Sequence, residues 1–215
     1  MNESYVILPK SAATPQLDPG QHLYFLGGPV RGGGDWQAIA IQQLFEKDPG
    51  CIVVCPCRYE PSHPLWLRQA IPFESKLVFE NQTIWERYYL EHAAYFGSVI
   101  FWLPTEDSEN PRADADGPYG QDTYGELGRW SIKSAHNICG FHKAGKGTPP
   151  ITNVVVGAEK DYYGLKVIQR NFDADHGHPY HIHETLEVTL DRAVELAKST
   201  DALRDYSLPF KTEFV

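Results

Sequence analysis

The 215-residue sequence lacks several features that mark common classes of protein. It has no run of basic residues and a formal net charge of −9. A DNA or RNA polymer is therefore not an expected partner, because such binding depends on neutralising phosphates. No apolar stretch approaches the ~20 residues that a membrane-spanning helix needs, and MNESYVILPK is too weakly apolar for a signal peptide. We expect a cytoplasmic protein that binds a small molecule and has no membrane partner.

Cysteine is also scarce. The four cysteines are Cys51, Cys55, Cys57 and Cys139, and the first three fall in CIVVCPC, a pattern typical of a buried strand and its exit. No pair has the C-x-x-C spacing of a structural zinc site, and the arrangement is not that of a secreted disulfide framework. We predict neither a metal nor a cofactor.

The glycine-rich segment GGPVRGGGDW lacks the known phosphate-binding motifs. G-x-G-x-x-G does not occur in it, and Gly34 stands where a P-loop requires lysine. Two interpretations stay open: the glycines let the backbone approach a ligand closely, or they form a plain flexible turn.

Apolar runs typical of strands alternate with helix-like segments along the chain. HLYFLGG, CIVVCP, SVIFWLP and NVVVGA predict strands; DWQAIAIQQLFEK (with Asp35 as N-cap), TIWERYYLEHAAYF, YGELGRWSIKSAHNI and TLEVTLDRAVELAK predict helices. Residues 1–20 form an N-terminal extension with one short apolar run, a candidate edge strand. The alternation predicts one α/β domain over residues 1–215, with a mostly parallel five-stranded sheet covered on both faces. Ligands of such sheets bind at the carboxyl ends of the strands.

Glu126 in DTYGELGRW has two interpretations. TYGE matches the capping box S/T-x-x-E, in which Thr123 caps a helix and Glu126 reaches back to its amide. Alternatively, Glu126 is a nucleophile at the carboxyl edge of the sheet, where the helix dipole would keep its carboxylate ionised. Small neighbours on both sides, Gly125 and Gly128, would leave room for a substrate. The sequence pattern alone favours the cap, and the expected position favours the nucleophile.

Four segments, in their order and rough spacing, resemble the nucleoside 2-deoxyribosyltransferase-like family: YFLGGP, WERYYLEHA, VIFWLP and TYGELGRW. The resemblance covers most of the chain, from about Leu23 to Ala158. It implies a flavodoxin-like three-layer α/β fold. It also implies that Glu126 attacks the anomeric carbon of a 2-deoxynucleoside or nucleotide and releases the base, after which a second base or water takes the sugar. Such chemistry suits a carboxylate, which stabilises oxocarbenium character and can trap it covalently.

The same resemblance supplies the other expected site residues. Glu86, in WER, matches an acidic position of the family's more distant members and is the second expected catalytic residue; a solvated helix-face acid is an equally good interpretation. Trp36 and Trp85 could shape a base pocket or belong to the core. The expected substrate-binding residues are Gly27, Gly28, Pro29, Trp36, Trp85, Asp122 and Thr123.

The chain departs from the family pattern in ways that affect the predicted reaction. Gly120 stands where well-studied transferases have an aspartate, although Asp122 could substitute. Phe96-Gly97 replaces a common Ala-Asp, and the loop at 105–121 is long and acidic. Transfer of a deoxyribosyl group is the first prediction and hydrolysis of the N-glycosidic bond is the close alternative. A regulatory domain that binds a nucleotide derivative without turnover is the alternative from a different class.

Two further segments carry predictions. DHGHPYHIHE offers His181 and His183 on one face of a strand as a ligand pair, but an exposed loop before a helix is favoured because no metal-binding spacing is present. The tail YSLPFKTEFV, with Tyr206, Phe210 and Phe214, is a candidate to close the pocket or to pack on the domain. In the resembled family a neighbouring subunit's C-terminal residues often complete the site, so we expect a homo-oligomer.

Overall fold

A parallel sheet forms the centre of the molecule. The computed structural model describes residues 3–9, 17–69, 79–113, 117–137 and 151–207. Within them, five strands run in the order β1-β3-β2-β4-β5, and every neighbouring pair is parallel. The strands are β1 Tyr5–Ile7, β2 Leu23–Gly27, β3 Ile52–Val54, β4 Gly97–Leu103 and β5 Val154–Ala158.

In the described part of the chain, five α-helices cover the two faces of this sheet. They are α1 Trp36–Lys47, α2 Gln82–Phe96, α3 Gln121–Ala135, α4 Leu165–His176 and α5 Leu186–Ser199. Short 3₁₀ helices span Pro64–Arg68 and Asp201–Leu203.

The alternation of side chains along the strands creates two cores. In β4, Val99, Phe101 and Leu103 point to the core that α2, α3 and α4 cover, whereas Ile100 and Trp102 point to the core under α1 and α5. The predicted α/β fold with a five-stranded, mostly parallel sheet is therefore confirmed, and its architecture is a flavodoxin-like three-layer sandwich.

The strand order shows where the N-terminal strand belongs. The run β3-β2-β4-β5 follows the first four positions of the flavodoxin order. β1 extends the sheet beside β3, with Val6 opposite Val53, which confirms the predicted edge strand. Beyond β5, His183 makes one isolated parallel bridge to Gly157.

Some helix boundaries follow the sequence signals and others do not. Asn81 and Thr185 cap α2 and α5 by accepting hydrogen bonds from backbone amides three residues later. Asp35 occupies the N-cap position of α1, but its side chain makes no capping hydrogen bond. Helix α4 was not predicted, because only Ile168 and Phe172 of its twelve residues are buried.

The predicted capping box at Thr123 is wrong. Helix α3 begins at Gln121, so Thr123 is its third residue and Glu126 lies in its second turn. The N-cap is Gly120, whose φ of 70° lies in the left-handed region that favours glycine. A side chain there would also clash, because a Cβ atom would lie 2.4 Å from the Tyr162 hydroxyl.

The predictions about cysteines and about membrane-spanning segments can be compared with the described residues. Cys51, Cys55 and Cys57 are buried free thiols, whereas Cys139 lies outside the described residues. None of the described helices combines the length and the apolar character required to cross a membrane.

Candidate functional site

A cleft of about 1020 Å³ opens at the carboxyl edge of the sheet, between α2 and α3. This is the edge at which parallel sheets bind their ligands. Seven of the predicted site residues line the cleft: Gly27, Gly28, Pro29, Glu86, Asp122, Thr123 and Glu126.

The turn after β2 forms one wall of the cleft. Gly28 has a φ of 139°, and a Cβ atom there would lie 2.1 Å from the carbonyl oxygen of Trp102. Only glycine therefore lets β2 and β4 approach so closely at the point where both strands end. The sequence left open whether these glycines serve a close approach or a plain turn; at Gly28 the close approach is to neighbouring backbone.

The two predicted pocket tryptophans do not line the cleft. Trp36 donates a hydrogen bond from Nε1 to the carbonyl oxygen of Pro29 at 3.0 Å, and so supports the turn from behind. Trp85 is 1% exposed and packs against Phe25 and Tyr89 in the core. Both indoles stabilise the wall, so the expectation that they contact a base is corrected.

Glu126 lies on α3 and faces the cleft, and its carboxylate accepts no hydrogen bond from any described residue. Burial raises its pKa from the ordinary 4.5 to about 7, and the charges of Glu86 and Asp122 add to the effect, while Arg129 opposes it. The expectation that the helix dipole keeps this carboxylate ionised is therefore wrong. Glu126 lies beyond the first turn of α3, where the dipole has little effect, and burial together with the acidic neighbours raises its pKa.

Glu86 faces the cleft from α2, and a chain of side chains holds it. Arg58 donates from Nε and Nη2 to Oε1 of Gln82, at 3.0 and 2.6 Å. Gln82 donates in turn from Nε2 to Oε1 of Glu86 at 2.8 Å. Burial raises the pKa of Glu86; the Gln82 hydrogen bond opposes the rise, Asp122 adds to it, and Arg58 opposes it. This geometry favours a held site residue over a solvated helix-face acid.

One carboxylate that lines the cleft, Glu91, was not predicted. Glu91 is 2% exposed, and its Oε1 accepts from Nη2 of Arg129 at 3.3 Å and also pairs with Lys133. Arg129 comes one turn after Glu126 on α3. It therefore lies near two carboxylates, Glu91, with which it pairs, and Glu126, which accepts no hydrogen bond from the described residues. The i, i+3 spacing of Glu126 and Arg129 was the available sequence signal.

Arginine is concentrated around the cleft. Five of the nine arginines in the sequence line it, and no lysine of the described residues does. No local sequence pattern predicts this cluster, because these residues are far apart along the chain and come together only through the fold. They are Arg31, Arg58, Arg87, Arg112 and Arg129.

The departure at Gly120 now has a structural reason. An aspartate at this position would need a strained backbone and would clash with Tyr162. Asp122, two residues later, lines the same cleft and is close enough to raise the pKa of both Glu86 and Glu126. Asp122 therefore supplies an acidic group to this site without occupying the expected position.

The glycines that flank Glu126 differ in their surroundings. A Cβ atom at Gly125 or Gly128 would meet nothing within 4 Å, so neither glycine is required by packing. Gly125 lines the cleft, whereas Gly128 is exposed on α3 and does not line it. The absent side chain at Gly125 thus leaves space beside the carboxylate, as expected for a substrate-binding position.

The histidine-rich segment lies away from the cleft. His176 ends α4, the following residues form a loop, and His183 makes the bridge to β5. The rings of His181 and His183 have centroids 4.6 Å apart. The residues that the structure describes contain no group of three or more histidine, cysteine, aspartate or glutamate side chains that could hold a metal ion.

Only the start of the predicted C-terminal closure can be placed. Tyr206 packs against Phe96, with ring centroids 5.9 Å apart, and its hydroxyl bonds to Asp201. These contacts lie at the amino end of the sheet, so Tyr206 does not reach the cleft of its own chain. Phe210 and Phe214 lie outside the described residues.

Neither a scan against protein-family models nor a search of curated proteins finds a match to this chain. Membership of the nucleoside 2-deoxyribosyltransferase-like family therefore stays a prediction that rests on the four segments and the site geometry.

Proposed function

We propose that this protein cleaves the N-glycosidic bond of a 2-deoxynucleoside or nucleotide and passes the deoxyribosyl group from Glu126 to a second base. The observation that carries this proposal is the convergence of Glu126 and Glu86 on one cleft at the carboxyl edge of the sheet, where both have a raised pKa. Paired carboxylates with shifted pKa values are typical of glycosidic bond cleavage.

The first step forms a glycosyl ester. An oxygen of ionised Glu126 attacks the anomeric carbon as the bond to the base nitrogen breaks, and the electron pair of that bond leaves with the base. Burial and neighbouring acids make the Glu126 carboxylate unusually basic, and positive charge that develops on the sugar relieves their repulsion. Glu86, which lines the same cleft from α2, is the group that would protonate the departing base.

The second step regenerates the enzyme. A nitrogen of the incoming base attacks the anomeric carbon, the ester bond breaks with its electrons returning to Glu126, and the attacking nitrogen gives a proton to Glu86. Water in place of the second base gives free sugar by the same route, which is the hydrolytic alternative. The space beside Gly125 is available to the incoming nucleophile of either reaction.

The covalent intermediate provides the test. We expect the intact protein, incubated with a panel of 2-deoxynucleosides and their 5′-monophosphates, to gain the mass of one deoxyribosyl group or its phosphate. The added mass should map to the peptide that contains Glu126 and be absent from Glu126→Gln. A protein that releases no base and acquires no mass from any member of the panel would overturn the proposal.

A base-exchange assay separates transfer from hydrolysis. With a second free base present, transfer yields the exchanged nucleoside or nucleotide, which chromatography resolves from the starting compound. Free sugar as the only product at every base concentration would exclude transfer and leave hydrolysis.

A further inference from the structure

We propose that the substrate carries a phosphate monoester, and that Arg112 and Arg31 form the subsite that binds it. This inference rests on the proposed function for the rest of the substrate, a 2-deoxynucleoside. It selects the nucleoside monophosphate over the unmodified nucleoside as the compound that the cleft binds.

The charge of the cleft is opposite to that of the chain. The whole protein has a formal net charge of −9, yet among the described residues five arginines line the cleft against four carboxylates, those of Glu86, Glu91, Asp122 and Glu126. Glu126, whose pKa is raised to about 7, carries less than a full negative charge near neutrality, and burial also raises the pKa of Glu86. A cleft with this excess of cationic groups attracts an anion.

The type of cation also points to phosphate. Arginine binds phosphate oxygens through two parallel hydrogen bonds, and it keeps its charge when partly buried. The described lining contains arginine but no lysine. A phosphate monoester carries ~−1.5 to −2 charges at pH 7, which one arginine alone does not balance.

Among the described residues, Arg112 is the arginine whose side chain has buried nitrogen atoms without a hydrogen-bond partner. Its Nε and Nη1 atoms are buried and have no hydrogen-bond partner among the described residues. Glu106 forms an ion pair with Arg112, in which Oε1 lies 3.5 Å from Nε without making a hydrogen bond to it. Buried donors without partners carry a desolvation cost, and an anion that enters the cleft would supply the missing acceptors.

Arg31 and Arg112 come from two loops that contact each other. The amide of Asp107 donates to the carbonyl oxygen of Gly32 at 2.7 Å, and the backbone nitrogen of Arg112 lies 3.0 Å from where a Gly32 Cβ would be. The loop after β2, which carries Arg31, is thereby clasped to the loop after β4, which carries Arg112. A site built from two clasped loops has its cations in place before the ligand arrives.

The reacting carboxylates have other arginines near them. Arg58 donates to Gln82, which donates in turn to Glu86, and Arg129 pairs with Glu91. The buried Arg112 donors lie on the loop after β4, so the phosphate subsite is assigned to the loop end, and the reacting carboxylates lie on α2 and α3.

Binding to Glu126→Gln tests this inference without requiring turnover. By calorimetry, we expect this variant to bind a 2-deoxynucleoside 5′-monophosphate at least about 10-fold more tightly than the same nucleoside, because charge-assisted hydrogen bonds are added. Equal affinities, or tighter binding of the nucleoside, would overturn the phosphate subsite. Binding of the monophosphate by Glu126→Gln without base release by the wild type would instead contradict the proposed function alone.

Substitutions locate the subsite. In the Glu126→Gln background, Arg112→Gln should weaken the monophosphate about 10- to 100-fold and leave nucleoside affinity unchanged, and Arg112→Lys should restore part of the loss. Arg192→Gln, an exposed arginine on α5, is the matched control and should change neither affinity. An Arg112→Gln variant that melts like its parent and binds both compounds as before would overturn the assignment.

Inorganic phosphate distinguishes a substrate phosphate from a free anion. We expect it to compete with the monophosphate but to bind more weakly, because the nucleoside part contributes its own contacts. Inorganic phosphate that binds as tightly as the monophosphate would show a site for the free anion and overturn the proposed substrate class.

Discussion

A carboxylate at each end of the sheet is partly or fully buried, but the pKa values of the two are shifted in opposite directions. At the amino end, Asp48 is 6% exposed, and its Oδ2 accepts hydrogen bonds from Nδ1 of His22 at 2.7 Å and from the Tyr24 hydroxyl at 2.8 Å. Burial alone would raise the pKa of Asp48, but the hydrogen bonds and the charges of His22 and Lys198 outweigh burial and lower it. At the carboxyl end, Glu126 has no such partners, and its pKa rises to about 7.

Two other polar side chains at the amino end also donate hydrogen bonds to backbone carbonyl groups. Arg204 donates from Nε to the carbonyl oxygen of Tyr95 at 2.6 Å, and Asn153 donates from Nδ2 to that of Gly97 at 2.8 Å. Hydrogen-bond partners, and not burial alone, therefore separate the two carboxylates. Asp48 is stabilised as an anion within the fold, whereas Glu126 is a carboxylate with a raised pKa in a cleft, which is typical of a functional site.

The largest expected effect is loss of activity at the carboxyl end. Glu126→Gln should lower kcat/KM for base release at least about 10³-fold, because an amide cannot form the sugar ester. Chromatography of released base measures the rate, and Glu195→Gln, an exposed acid on α5, is the matched control. Normal turnover by Glu126→Gln would remove the distinction between the two ends.

A large stability effect is expected at the amino end. Asp48→Asn should lower the free energy of unfolding by about 2–4 kcal/mol, because it removes one charge from a buried hydrogen-bonded group. Urea denaturation measures this change. Its kcat/KM should stay within about twofold of the wild type when assayed well below the melting temperature, and a selective loss of activity would contradict the structural role.

An intermediate effect concerns pH. The folded pKa of Glu126, about 7, exceeds its ordinary 4.5, so the folded state binds more protons between these values and stability falls as pH rises through them. Glu126→Gln removes this penalty. It should therefore be more stable than the wild type by about 1–3 kcal/mol at pH 8, and the difference should shrink towards pH 5.

Urea denaturation at several pH values, with Glu195→Gln alongside, provides the measurement. A difference between Glu126→Gln and the wild type that is constant with pH would show that the carboxylate is not destabilised by its surroundings.

The smallest expected effect separates two glycines on one helix. Gly125→Ala and Gly128→Ala should each raise the free energy of unfolding by about 0.5–1 kcal/mol, because alanine favours the helix and both positions are open. Only Gly125→Ala should raise KM, since only Gly125 lines the cleft. An equal change in KM for both variants would show that helix stiffness, and not space for the substrate, is responsible.

The sequence predicted the sheet better than the site. HLYFLGG and SVIFWLP are long apolar runs bounded by glycine or proline, and strands buried on both faces require such runs. The start of α3 could not be predicted locally, because the left-handed Gly120 packs against Tyr162, far along the chain. The roles of Trp36 and Trp85 depended on packing, since an aromatic residue suits a core and a pocket equally well. The arginines that line the cleft come from separate loops and helices, which the fold brings to one edge of the sheet, so no local sequence pattern predicts them.

The order of the site along the chain has a consequence for synthesis in the cell. Every described residue that lines the cleft lies between Phe25 and Trp130, but β4 pairs on its outer side with β5, and the other face of the sheet is covered by α5. At ~5–20 residues per second, translating the roughly 70 residues from Trp130 to the end of α5 takes several seconds or more. During that interval the nascent chain holds all the described lining residues but lacks the strand and helix that brace them. We therefore expect a ribosome-bound chain that ends before β5 to be unable to bind substrate, and its exposed strand edge to depend on chaperones.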